Sequence, residues 1–149
     1  IFGYRAALAD EHYAANAATH CSTTLLAYPI SLVRRLLDES PRLMRLISQQ
    51  LARELGTADR RLVTLTQGML RERMAETLLY LHSTYANPTN HHAIGLALTR
   101  RELAELSNMS TSNAIRTLKA FEQEGAISFA SRTVRILDEA KLRAFAQLG

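Results

Sequence analysis

The longest regular pattern in the chain is an apolar stripe that begins at Pro41 and continues to about Leu65. Its apolar positions recur at steps of three and four, which is the spacing of one face of an α-helix. Ser40 followed by Pro41 predicts the start, because serine caps helices and proline is tolerated at the first helical position. The stripe consists of Met44, Ile47, Leu51, Leu55, Ala58, Leu62 and Leu65.

A helix of about 25 residues is about 37 Å long, which is more than the width of a small domain. Part of its apolar stripe therefore extends past the surface that a single small domain offers. We predict that the seven stripe residues form a homodimer interface, since such a stripe is sustained here over about three heptads. The alternative is that the whole stripe packs against its own chain.

Shorter patterns flank this helix. Residues 30–37 predict a short helix and residues 69–85 a longer one, with Gly68 as the break after the long helix. Residues 22–28 have the composition of a strand. Residues 87–97 begin with Asn-Pro and are predicted to form a loop.

Two short helices separated by a tight turn are predicted further along the chain. Thr99 and Glu102 have the spacing of a capping box, which predicts the start of the first helix. Leu103 and Leu106 are predicted to supply its buried side, and the sequence Ser-Asn-Met at 107–109 predicts its end.

The second helix is predicted to begin after the cap Ser110 and to end at Gly125, a typical C′ residue. Its two faces differ in polarity. The predicted inner face consists of Ala114, Leu118 and Phe121. The predicted outer surface consists of Ser112, Arg116 and Lys119, with Thr111 and Asn113 in the exposed first turn. No acidic residue occurs between Ser107 and Phe121.

A β-hairpin is predicted next, because apolar and polar residues alternate on both sides of a turn at 130–132. Residues 138–148 predict a closing helix. Together these elements have the order of a winged helix-turn-helix, in which the second helix contacts base edges. In this chain we expect Arg132, at the hairpin tip, to meet a phosphate. Helix-turn-helix packing also occurs without DNA, but the wing and the acid-free outer face favour DNA binding.

Composition restricts the class of protein but does not indicate a function. The chain has 149 residues, of which 47% are hydrophobic and 21% charged, as expected for a globular protein. The net charge of +4 permits an anionic partner. Of the 18 basic residues only Lys119 and Lys141 are lysines; arginine suits guanine and phosphate, although a GC-rich genome would give the same bias. The first residue is isoleucine, so we expect further sequence upstream.

The residues do not predict an enzyme or a metal site. His12, His20 and Cys21 lack ligand spacing, and a single cysteine closes no intrachain disulfide. Adjacent histidines at 91–92 lie in a polar segment. No nucleophile elbow and no Gly-rich phosphate loop occur. No apolar run is long enough for a membrane span, so we expect a cytoplasmic protein. The cofactor is unknown, and the alternative to its absence is a cluster or haem held by residues outside this chain.

The segment that begins at Thr99, TRRELAELSNMSTSNAIRTLKAFEQEGAI, resembles the catabolite-activator/fumarate–nitrate regulator (CRP/FNR) family of bacterial transcription factors. The resemblance covers the family's C-terminal two-thirds and implies a mainly α fold with a small β component. It implies the end of an effector β-barrel at 1–38, a dimerisation helix at 39–67 and a winged helix-turn-helix domain at 68–149. It also implies a homodimer bound to double-stranded DNA at a near-palindromic operator.

The resemblance also assigns roles to single residues. It implies base contacts by Thr111, Ser112, Asn113 and Arg116, and phosphate contacts by Thr99, Arg100, Ser110, Lys119 and Arg132. Family members commonly carry glutamate where this chain has Ser112. We therefore predict an operator that departs from the usual half-site, because serine lacks the carboxylate that accepts from a cytosine amino group.

The family's effector cassette is degenerate in this chain. Cyclic-nucleotide binders have a glutamate for the ribose and an Arg-Ser pair for the phosphate, and the aligned residues here are Tyr4, Tyr13 and Ala14. Burying a cyclic phosphate without a cation is unfavourable, so we predict no response to cyclic AMP; the effector is unknown. A dimeric module that docks a protein partner is the alternative function, and contact with RNA polymerase within an activator is its milder form.

Overall fold

A computed structural model describes residues 2–19, 22–87 and 90–147, and these residues form seven helices and four strands. The fold is mostly helical with one small antiparallel sheet. It divides into two compact units, Ile1–Thr57 and Ala58–Gly149. In chain order the elements are α1 (Tyr4–Ala9), α2 (Ile30–Glu39), α3 (Pro41–Gln67), α4 (Leu70–Thr84), β1 (Ala86–Asn87), β2 (Asn90–Ile94), α5 (Arg100–Leu106), α6 (Thr111–Gln123), β3 (Ile127–Ala130), β4 (Thr133–Ile136) and α7 (Glu139–Ala146).

The first unit contains α1, α2 and the first part of α3. The predicted helix at 30–37 is confirmed as α2, and Arg34 on it donates to the Ala7 carbonyl at 2.9 Å and pairs with Asp10. The strand predicted at 22–28 is wrong, since this segment is irregular. A strand needs a neighbouring strand to pair its backbone groups, and the described residues of this unit contain none. The structure therefore does not confirm the predicted end of a β-barrel.

The long helix predicted from Pro41 is confirmed as α3, and its start has the expected cap. The Leu43 amide donates to the Ser40 hydroxyl at 3.3 Å. No residue of α3 is buried within the chain. Leu55 and Leu62 of the apolar stripe are 63% and 62% exposed, so this chain by itself leaves much of the stripe in contact with water.

The sheet of the second unit has the strand order β1-β2-β4-β3. The loop predicted at 87–97 is wrong in part, because Asn90–Ile94 forms β2, which pairs with β1 and, through Ala93 opposite Arg135, with β4. The polar half of β2 faces solvent, whereas Ala93 and Ile94 are buried. The sequence did not reveal this strand for two reasons. Its Asn-His-His segment is polar, and its second partner, β4, lies about 40 residues further along the chain. Residues 88–89, between β1 and β2, lie outside the described residues.

The core of the second unit lies where α4, α6 and α7 meet the sheet. Phe121 of α6 is fully buried and stacks on Phe145 of α7 with ring centroids 4.8 Å apart. Burying each large apolar side chain contributes about 1.5–3 kcal/mol, so α6 is held mainly by its inner face. The largest fully buried apolar side chains are Phe121, Met74, Leu78, Ile94, Leu103, Leu118, Ile127, Leu142 and Val134.

Candidate nucleic-acid interface

The first helix of the predicted pair is α5, and its capping box is confirmed. The Glu102 amide donates to the Thr99 hydroxyl at 3.2 Å, and the Thr99 amide donates to the Glu102 carboxylate at 2.6 Å. The Thr99 hydroxyl itself donates to the same carboxylate at 2.7 Å. These reciprocal bonds satisfy backbone donors that the helix leaves unpaired and so fix where α5 begins.

The predicted buried side of α5 is half correct. Leu103 is fully buried, but Leu106 is 37% exposed, and Ala104 and Ser107 are buried instead. Position 107 lies four residues, or just over one helical turn, after Leu103, so it falls on the same buried face of α5. The Ser107 hydroxyl can occupy that buried place because it donates to the Leu103 carbonyl at 2.5 Å.

The turn between α5 and α6 depends on Asn108. Its φ of 50° lies in the left-handed region, which asparagine tolerates better than most residues. Its side-chain amide donates to the Leu65 carbonyl, near the end of α3, at 3.2 Å. Arg73 of α4 donates to the Asn108 carbonyl at 2.8 Å. These two hydrogen bonds hold the turn against the last residues of α3.

The second helix of the pair is α6, and both of its ends are as predicted. At the start, the Asn113 amide donates to the Ser110 hydroxyl at 3.3 Å. At the end, Gly125 has a φ of 73°, and the Ala126 amide donates to the Phe121 carbonyl at 2.9 Å. This bond between the second residue past the cap and the last turn is the Schellman motif.

The predicted inner face of α6 is confirmed, because Ala114, Leu118 and Phe121 are at most 1% exposed. The predicted outer residues are on the opposite side: Thr111, Ser112, Arg116 and Lys119 are exposed and Asn113 is partly exposed.

Arg116 is oriented by its neighbour in the first turn of α6. One guanidinium nitrogen donates to the Asn113 side-chain oxygen at 2.6 Å. A guanidinium has five N–H donors, so this bond directs the side chain while leaving donors for a further acceptor. The pairing joins two of the four predicted base-contacting residues.

An exposed apolar residue on this surface was missed by the sequence analysis. Ile115 is 48% exposed and immediately precedes Arg116. The signal was present, because position 115 lies outside the 114–118–121 inner stripe on a helical projection.

Two of the predicted phosphate contacts lie at the start of α5. Thr99 is partly exposed, with its hydroxyl engaged in the capping box. The Arg100 guanidinium lies 3.3 Å from the centroid of the Phe129 ring on β3, a cation–π contact. Burial lowers the pKa of Arg100 from its ordinary value, and the Glu122 carboxylate acts in the opposite direction. The guanidinium stays charged, so the wing holds a cation against α5.

The remaining predicted phosphate contacts lie at three further places. Ser110 caps the start of α6, Lys119 is exposed on α6, and Arg132 is exposed in the two-residue turn between β3 and β4. The hairpin itself is confirmed, with Ala130 paired to Thr133 across the turn.

The far end of α6 is attached to α4 and α7 through Glu124, which sequence reasoning missed. Arg71 of α4 donates to both carboxylate oxygens of Glu124 at 2.8 and 2.9 Å. The hydrogen bond from Arg71 lowers the pKa of Glu124. Lys141 donates to the Glu124 carbonyl at 2.7 Å. The closing helix is confirmed as α7, which begins one residue after the predicted start, with Asp138 as its cap. The helix ends at Ala146, before the predicted end at residue 148, which lies outside the described residues.

The predicted cassette residues lie in the first unit. The Tyr4 hydroxyl on α1 donates to the Glu54 carboxylate at 2.5 Å, and this hydrogen bond raises the pKa of Tyr4 to about 12. Tyr13 is 70% exposed and Ala14 is exposed. Tyr4 is therefore occupied by a partner from its own chain.

Neither a metal centre nor a membrane span is found in the described part of the chain. Its histidine, cysteine and acidic side chains form no group of three with metal-binding geometry. None of the described helices is both long and apolar enough to cross a bilayer. His20 and Cys21 lie outside the described residues.

The capped helix pair, the tight turn and the following hairpin define a winged helix-turn-helix domain. The family model of the Crp-like helix-turn-helix domain matches residues 72–145, which include α5, α6 and the hairpin. The chain belongs to the CRP/FNR family of transcription regulators and covers its C-terminal part.

Curated relatives are similar along most of the chain. The transcriptional activator protein anr of Pseudomonas aeruginosa is 26% identical over 91% of this chain and 56% of its own length. A probable transcriptional activator of Rhizobium leguminosarum is 30% identical over 76% of this chain and 47% of its own. The chain thus spans about half the length of the curated relatives it matches.

Solved structures show the same fold. FixK2 from Bradyrhizobium japonicum matches with a TM-score of 0.70 at 18% identity, over 80% of this chain and 60% of that one. A CRP/FNR-family transcriptional regulator from Thermus thermophilus matches with a TM-score of 0.62 at 26% identity, over 72% of this chain and 56% of that one.

Proposed function

We propose that the chain is the DNA-binding part of a transcription regulator that places the outer face of α6 in the major groove. The observation that carries this proposal is the division of α6 into two faces. The inner face is buried in the core, whereas Thr111, Ser112 and Arg116 are exposed in its N-terminal half. The N-terminal part of the second helix is the part that contacts bases in helix-turn-helix proteins.

The chemistry of that surface suits a DNA duplex. Arg116 can donate two hydrogen bonds to guanine O6 and N7, the commonest specific contact in the major groove. Three side chains supply cations for DNA phosphates: Lys119 on α6, Arg100 at the start of α5 and Arg132 at the tip of the wing. Ser112 has no carboxylate to accept from cytosine, so the preferred half-site departs from one selected by a glutamate.

Gel-shift titrations test this proposal with Arg116→Ala. Binding sites are first selected from random duplexes by the wild-type chain. The variant should bind the operator selected by the wild-type chain about 5- to 150-fold more weakly for each half-site, the range for losing one bidentate base contact. Its affinity for random DNA should fall less, and wild-type affinity should fall steeply with salt, because bound phosphates release counterions.

The matched control is Arg143→Ala. Arg143 is an exposed arginine on α7 that pairs with Glu139 at 2.5 Å, so its loss removes the same charge from a residue that is not among the proposed DNA contacts. This variant should keep the wild-type preference for the operator. Absent or salt-insensitive DNA binding would reject the regulator and favour a module that docks a protein partner.

Binding to a near-palindromic operator requires two copies of the chain, and we propose that they pair through α3. The apolar stripe is exposed in the single chain at Leu55 and Leu62. Paired recognition helices must then lie one duplex turn apart, about 34 Å. In sedimentation measurements Leu55→Glu should shift the chain toward monomer. Gln49→Glu, which adds the same charge to another exposed position of α3, should leave the dimer intact; equal behaviour of the two variants would reject pairing through this stripe.

We also propose that cyclic AMP does not bind this chain. Tyr4 already hydrogen-bonds Glu54, and neither Tyr13 nor Ala14 offers a cation for the cyclic phosphate. An anion buried without a cation loses hydration without replacement. Titration calorimetry should give no heat of binding at micromolar cyclic AMP, and saturable binding in that range would contradict the proposal.

A further inference from the structure

The residues of α6 proposed to contact DNA are all polar, and the exposed apolar residue Ile115 lies among them. This side chain is 48% exposed, whereas Leu118 and Phe121 on the same helix are at most 1% exposed. At about 100° per residue, position 115 lies about 40° from Thr111 and about 60° from Ser112, on the arc between them. Ile115 therefore has proposed base contacts on both sides.

A branched apolar side chain in the major groove has few favourable neighbours. The base edges there present hydrogen-bond donors and acceptors, and their one apolar group is the C5-methyl of thymine. Placing isoleucine against a donor or acceptor removes water from that polar atom without giving it a partner. A thymine methyl, in contrast, gains from losing its water.

We propose that Ile115 is a specificity-determining residue that packs on the methyl group of one thymine in each half-site. This inference rests on the proposed function and adds to it, because hydrogen-bonding contacts by Ser112 and Arg116 do not require a thymine. It predicts that the selected operator holds a thymine close to the guanine contacted by Arg116.

Replacing thymine by uracil tests the inference, since uracil removes the methyl and keeps every hydrogen-bonding group. Each thymine of the selected operator is changed in turn, in both half-sites together, and affinity is measured by fluorescence anisotropy. For the wild-type chain one position should stand out. Burying one methyl there is worth about fourfold in affinity, or about sixteenfold for two half-sites.

Two variants locate the effect at Ile115. Ile115→Ala should bind thymine and uracil operators equally, whereas Lys119→Ala should bind both more weakly and keep the wild-type ratio. Ile115 is half exposed, so its truncation should leave the fold intact, which circular dichroism checks.

The outcomes separate this inference from the proposed function. Uracil insensitivity at every position, together with a selected operator that depends on Arg116, overturns the role of Ile115 alone. So does an Ile115→Ala variant that keeps the wild-type sensitivity to uracil. Failure of the wild-type chain to select any operator overturns both.

Discussion

Replacing Asn108 tests how firmly the helix-turn-helix turn is held, because this residue does two separate things. Its backbone adopts φ 50°, and its side chain donates to the Leu65 carbonyl at 3.2 Å. Asn108→Ala removes the hydrogen bond and places a Cβ-bearing residue without a polar side chain in the left-handed region. Asn108→Gly removes the same hydrogen bond but adopts the left-handed conformation freely. In both variants the Asn108 backbone carbonyl, which accepts from Arg73, is retained.

The two effects have comparable sizes. The left-handed conformation costs an ordinary residue about 1–2 kcal/mol. A net intramolecular hydrogen bond contributes about 0.5–1.5 kcal/mol, and the lower end applies here because this bond is exposed. Asn108→Ala should therefore lower the free energy of unfolding by about 1.5–2.5 kcal/mol. Asn108→Gly should lower it by about 1 kcal/mol, combining the lost bond with the greater entropy of the unfolded chain.

Urea denaturation followed by circular dichroism measures both values, provided that the m-values agree with that of the wild-type chain. The order of stability should be wild type, then Asn108→Gly, then Asn108→Ala. If the glycine variant is no more stable than the alanine variant, the left-handed backbone is not a source of strain. If the glycine variant equals the wild type, the bond to Leu65 contributes nothing to stability.

Three further predictions follow from contacts around the same helices. Because Arg71 lowers the folded-state pKa of Glu124, this pair stabilises the fold above about pH 4.5, and the contribution disappears as the pH falls through the lowered pKa. Urea titrations should show Glu124→Gln less stable than wild type by at most about 1 kcal/mol near pH 7, since the paired side chains are 38% and 42% exposed, and the difference should shrink as the pH is lowered below 4.5. Ser110→Ala should cost about 1 kcal/mol in thermal or urea unfolding by removing the cap of α6, and an unchanged stability would show that the cap bond is unimportant. Leu103→Ala should cost about 2–5 kcal/mol but Leu106→Ala less than about 1 kcal/mol, and equal losses would contradict their different burial.

Local signals were sufficient for α2 to α7 and for most of their ends, whereas α1 was not predicted. The caps Ser40, Thr99 and Ser110 each bond an amide three residues ahead, so the partners lie within one short window of sequence. Gly125 was equally clear, because its positive φ closes α6 through neighbouring residues. The outer residues of α6 followed from the same periodicity, which fixes both faces of a helix once one is known.

Features that depend on partners far along the chain were not accessible in this way. The segment at 22–28 looked like a strand but has no described strand beside it, whereas β2 looked like a loop and is paired on both edges. Strand formation requires a neighbouring strand, and local composition does not report whether one is present.

The sequence alone therefore determined the helical pattern, the capped helix pair, the wing and the polar outer face of α6, because each depends on residues within one or two turns of one another. Tertiary structure decided that Ser107 rather than Leu106 is buried, that Asn108 bonds the end of α3, and that Arg71 pairs with Glu124 across 53 positions. The physical reason is that burial and long-range hydrogen bonds depend on which surfaces meet, and periodicity within one element describes only a single surface.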